Sequence, residues 1–82
     1  MLKRIQDLVR RGQYRIPASV LSEMDELEIY VKDVMDTILK AECISNSYPS
    51  VHPAFHGEML YEIIGEAVNE RWIYTKGRIS DN

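Results

Sequence analysis

Trp72, Tyr74, Lys76 and Arg78 alternate along a run of β-forming residues, so a strand here sets two aromatic rings and two cations on one face. Ile73, Thr75, Gly77 and Ile79 then fall on the opposite face, toward a core. Rings that stack on unpaired bases, beside cations that hold phosphates, are the minimum surface with which a small protein grips single-stranded RNA. The same alternation also fits the outer side of an ordinary antiparallel sheet, where aromatics and long cations suit a half-buried pleated surface.

The chemistry open to this residue set is metal-free phosphodiester cleavage. A ribose 2′-OH attacking its own phosphate needs a proton acceptor, a proton donor and positive charge near phosphorus. Tyr74, Lys76 and Arg78 are the catalytic candidates, and Trp72, Arg71, Arg10 and Arg11 are the candidates for holding RNA. His52 and His56 are candidates for proton transfer, because histidine titrates near neutral pH, and Tyr61 is a further source of a hydroxyl. Three residues separate the two histidines, a spacing that serves a metal on a helix, but Pro53 stands between them in a loop, so neither a metal nor a cofactor is expected. Cys43 beside Ile44 reads as a small buried hydrophobe rather than a nucleophile. The chain has no glycine-rich phosphate loop, no serine nucleophile elbow and no acid pair with glycosidase spacing.

The elements that must position these residues can be read from periodicity. Leu2, Ile5, Leu8 and Val9 recur at helical spacing and Gly12 follows as a stop, which predicts a helix over about residues 2 to 11. Tyr14 to Ile16 form an extended link, and Pro17 suits the first turn of a second helix that runs to about Leu27 with the stripe Val20, Leu21, Met24 and Leu27. Val31, Val34, Met35, Ile38 and Leu39 predict a third helix over about 31 to 41. Glu42 to Ser47 reads as a short strand or extended turn, and Asn46 to Gly57, with two prolines and no apolar period, as a long loop. Glu58 to Ile64, a turn over Gly65 to Glu70, and Arg71 to Ile79 then predict a β-hairpin. The expectation is a single α+β domain over residues 1 to 82, with three N-terminal helices packed on a small antiparallel sheet that ends in a C-terminal hairpin.

Composition sets bounds on partners and compartment. At 82 residues the chain supports one core, and a chain of this size buries only about two-thirds of the surface it exposes when unfolded. One cysteine forms no internal disulfide, and Lys3, Arg4, Asp7 and Arg10 interrupt the first apolar segment, so the expected location is the cytosol, with no membrane contact. The net charge of -3 opposes generic nucleic-acid binding, yet residues 1 to 16 hold five cations and one acid, residues 17 to 70 two cations and eleven acids, and residues 71 to 82 three cations and one acid. A basic patch forms only if the two ends of the chain meet in space.

The run YRIPASVLSEMDELEIYVKDV, from Tyr14 to Val34, resembles without gaps the opening segment of small bacterial RelE-like toxin relatives, with matches at Tyr14, Met24, Ile29, Asp33 and Val34. IQDLVRRGQY looks like the helix and glycine turn that precede it in those proteins, and Glu42 to Tyr48 resembles their strand after the helices. MqsR-type toxins are similar in their DEL turn, here Asp25-Glu26-Leu27, and in a Y-x-K segment of the final sheet, here Tyr74-Thr75-Lys76. The resemblance implies a compact α+β fold, endoribonuclease activity on mRNA and a neutralising antitoxin partner. Ser19 replaces the histidine of that pattern, and Glu23 and Leu27 replace its arginines, so only Tyr74 and Lys76 inherit a catalytic or RNA-contacting role from it. A non-catalytic interaction protein that kept such a fold and binds a protein partner is the competing expectation.

Overall fold

The computed structural model describes residues 1–55, 57–67 and 70–80, in the order α1 (Leu2–Arg10), α2 (Ala18–Glu26), α3 (Val31–Lys40), β1 (Asn46–Pro49), a 3-10 turn (Pro53–Phe55), β2 (Met59–Glu66) and β3 (Trp72–Gly77). The class is α+β: three helices precede a three-stranded antiparallel sheet of order β1-β2-β3. Val68 and Asn69, in the connection from β2 to β3, lie outside the described residues.

Local backbone geometry stops the first two helices, the first at the glycine the sequence marks. Gly12, at φ 71, follows α1, and the Gln13 N–H donates to the Leu8 carbonyl at 2.9 Å, closing the last turn in the way a left-handed residue allows. Glu28, at φ 56, closes α2 in the same manner, with the Ile29 N–H donating to the Met24 carbonyl at 2.8 Å. Asp33 accepts the Tyr30 N–H at 3.2 Å at the start of α3, and Lys40 stands in its last turn, so both charges oppose the helix dipole.

α3 is the hub. It packs against α1 on one side and against β2 and β3 on the other, while among the described residues the α1 backbone comes close to no strand. Gln6, buried on α1, donates its side-chain amide to the Ile38 carbonyl at 3.0 Å, which also accepts the Ala41 N–H, and to the Ala41 carbonyl at 3.0 Å, so it caps the end of α3. On the sheet side, Ile63 and Ile73 are 3% and 5% exposed. Gly65 lies between them, where a Cβ would stand 2.7 Å from Thr37 Cγ2.

Three expectations need correction here. β1 spans Asn46–Pro49, inside the predicted loop and later than the predicted strand over Glu42 to Ser47. The Ser50 N–H donates to the Glu58 carbonyl, so by ladder alternation the backbone nitrogen of Pro49 faces away from β2, and the missing N–H costs the sheet nothing. On α2, only Met24 of the predicted stripe is buried, because no other element packs closely on this helix; Val20, Leu21 and Leu27 remain exposed. Cys43 is also exposed rather than buried, since it lies in the bend between α3 and β1.

The Gly65 contact gives a direct test. Gly65→Ala is expected to destabilise the fold by about 1–3 kcal/mol through overpacking against a β-branched side chain whose hydroxyl is already committed to the Asp33 carbonyl. Adding Thr37→Ser, which removes the obstructing methyl and keeps the hydroxyl, should recover most of that loss in urea denaturation. Equal stability of Gly65→Ala and the parent chain would contradict the packing described.

Candidate functional site on the open sheet face

Side-chain alternation splits the sheet into two faces. Ile63, Gly65, Ile73 and Thr75 face α3, so their neighbours in the chain face away from the helices. Cross-strand register builds the open face in rows: Trp72 stands opposite Glu66, Tyr74 opposite Ile64, Lys76 opposite Glu62, and Glu62 in turn opposite Asn46 of β1. Tyr48 lies opposite Leu60, in the next row. Trp72 and Tyr74 are 72% and 57% exposed.

The chemistry of this face centres on Glu62, which the sequence reading did not single out. Its carboxylate accepts the Tyr74 hydroxyl, a diagonal cross-strand contact. That hydrogen bond first, and one from Tyr48 second, hold the Glu62 carboxyl below the usual glutamate range; partial burial works the other way, and the charge of Lys76 adds to the lowering. The same pairing pushes the Tyr74 phenol up to about 12. Tyr48 also raises Lys76, chiefly by a hydrogen bond, with the Lys76 ammonium 5.3 Å from the centre of the Tyr48 ring. Glu62 is therefore an anion and Tyr74 a neutral donor at neutral pH, and neither is tuned to exchange a proton there. The arrangement is built to hold charge and present rings.

The other candidates are dispersed. Arg78 lies one residue beyond β3, and its guanidinium pairs with Glu58 at 2.8 Å. Arg71 donates to the carbonyls of Leu27 at 2.7 Å and Glu28 at 3.2 Å, tying the start of β3 to the turn between α2 and α3. Arg11 pairs with Asp7 along α1, and Arg10 stands exposed on the same helix, which packs on α3 and not on the sheet; the two basic ends of the chain do not merge on the open face. His52 accepts the Ala54 N–H on Nδ1 at 3.1 Å and thereby shapes the turn after β1. His56 lies outside the described residues, and Tyr61 faces the helix side, opposite Ser47 and Gly77. Among the described residues no cluster of three or more His, Cys, Asp or Glu side chains is placed to hold a metal.

The signal for Glu62 was an acid in the middle of the apolar run from Met59 to Ile64, but its partners became visible only once the register was known. No family model, no curated protein and no solved structure matches this chain. No helix among the described residues is long and apolar enough to cross a membrane.

The cluster makes stability depend on pH at both ends. Glu62 has a depressed folded pKa, so its contribution is complete above the ordinary carboxylate range and disappears as pH falls through its lowered value. Tyr74 has a raised one, so its contribution holds below pH 10 and is lost as pH rises toward about 12. Carboxyl NMR titration should find Glu62 below the usual glutamate range, and Tyr74→Phe should move it upward. An unmoved Glu62 in a folded Tyr74→Phe variant would refute the assignment.

Proposed function

We propose that this is a toxin-like α+β domain of the RelE/MqsR kind whose open sheet face contacts single-stranded RNA. The observation that carries the reading is the pair of exposed rings, Trp72 and Tyr74, on a sheet face that no helix covers among the described residues, with the Lys76 ammonium in the next row. Trp72 and Tyr74 stack bases, Lys76 takes a phosphate, and the Tyr74 hydroxyl, already directed at Glu62, fixes one ring in place. The raised Tyr74 and lowered Glu62 favour binding over cleavage, because general acid–base catalysis works best with groups that titrate near the operating pH. Where cleavage does occur it is metal-independent, with Lys76 stabilising charge on phosphorus.

A second reading rests on a specific observation. Glu62 and Glu66 lie on the same face as the rings and repel a polyanion, whereas a protein partner such as an antitoxin could use the exposed Trp72 and Tyr74 as anchors.

Trp72 is the single tryptophan, so its fluorescence reports directly on this face. Unstructured RNA in excess chelator is expected to quench it at low salt. Trp72→Ala, followed by anisotropy of labelled RNA, should weaken binding by about 1–3 kcal/mol for the lost stack. Lys76→Ala should reduce the salt dependence of log K by about 0.7, the slope of one contact to a single strand. Unquenched fluorescence at low salt, or unchanged affinity in both folded variants, would leave the protein-partner reading in its place.

A further inference from the structure

The sheet has two outer edges, and they differ in chemistry. β1 is four residues long; on its outward side Pro49 has no N–H, and the Ser47 N–H is taken by the side chain of Asn46 at 2.9 Å. Such an edge resists further pairing. β3 is six residues long and contains no proline. The Ala67 N–H donates to the Arg71 carbonyl at 2.7 Å, which fixes the alternation of the β2–β3 ladder. Ile73, Thr75 and Gly77 therefore direct their main-chain groups to β2, and Trp72, Tyr74 and Lys76 direct theirs outward. Among the described residues, none of these outward groups makes a main-chain hydrogen bond outside the sheet, and α2 does not approach the β3 backbone closely.

The order of residues along this edge is self-complementary about Tyr74. In an antiparallel pairing of two copies, Tyr74 stands opposite Tyr74, Trp72 opposite Lys76 and Ile73 opposite Thr75. All three outward-facing residues fall at hydrogen-bonded positions in this register, which supplies about six main-chain bonds. On the open face it sets Trp72 directly opposite Lys76 on either side of a central tyrosine pair. The incoming Lys76 also enters the row that carries Glu66, so charges of opposite sign share the row. On the helix side it joins two Ile73–Thr75 pairs and lengthens the apolar layer. A register centred on Lys76 would instead oppose two ammonium groups, which selects against it.

We propose that the outer edge of β3 pairs with the β3 edge of a second copy of this chain, antiparallel about a two-fold axis at Tyr74, to form one continuous sheet. The pairing uses the main-chain edge, whereas RNA contact uses the face, so a dimer that ignores RNA and a monomer that binds it separate the two readings.

Sedimentation equilibrium of the full chain is expected to give a mass near twice 9.5 kDa at high concentration. Tyr74→Pro deletes an N–H that points away from β2, leaving the internal ladder whole, and should yield a monomer with unchanged far-UV circular dichroism. A second variant guards against misfolding: Tyr74→Cys in a Cys43→Ser background should form an intermolecular disulfide on mild oxidation, because residues facing each other across the axis lie within bridging range. Ile64→Cys in the same background, on the same face but one strand inward, should not. A wild-type chain that stays monomeric, or cross-linking at position 64 equal to that at 74, overturns the proposal.

Discussion

The approach of Thr37 to Gly65 decides which side of this sheet is closed. With no Cβ at Gly65, α3 settles onto β2 closely enough for the Thr37 methyl to occupy the space a side chain would need. The contact seats Ile63 and Ile73 beneath the helix, and strand alternation then turns Glu62, Ile64, Glu66, Trp72, Tyr74 and Lys76 to the other side. α1 reaches the rest of the fold through α3, by packing and by the Gln6 amide on the carbonyls at its end. The open face is thus a consequence of helix packing on the opposite face.

On that open face the energetics are local and electrostatic. A carboxylate among aromatic rings is costly unless its charge is answered by hydrogen bonds. Glu62 receives one from Tyr74, with Lys76 directly opposite and Tyr48 of β1 near enough to add to the lowering of its carboxyl, so the acid ties β2 to β3 through their side chains. The effect on Tyr74 is reciprocal: the hydroxyl that stabilises the anion becomes harder to ionise. This mutual stabilisation fixes the Tyr74 ring, and Tyr48 keeps Lys76 charged.

Elsewhere the molecule is loosely closed. Helices and sheet leave a groove of about 1320 Å³ whose lining includes Leu8, Met24, Val34, Ile38 and Ile73, and no large side chain is fully buried among the described residues. A chain of this size has little apolar surface to spare for a complete core. α2 shows the result most clearly, since it contributes Met24 and leaves the rest of its stripe in solvent. Its position depends on tethers at its C-terminal end, where Arg71 grips the carbonyls of Leu27 and Glu28.

Periodicity and punctuation in the sequence determined the three helices, the stop of the first at Gly12, the α+β class, and the face shared by Trp72, Tyr74 and Lys76. These features depend on neighbours within a few residues, where backbone geometry dictates which side chains lie together. The tertiary structure alone decided the rest. β1 formed across a proline because its nitrogen faces outward from the ladder, and Glu62 gained Tyr48 and Tyr74 because the register put them within reach. Arg71 found the carbonyls of the α2 turn, and Arg78, one residue beyond β3, found the Glu58 carboxylate, partners that the sequence alone did not indicate. Such contacts join residues from twelve to more than forty positions apart, and a strand's own pattern fixes its two faces without fixing which strand, or which residue of it, lies alongside.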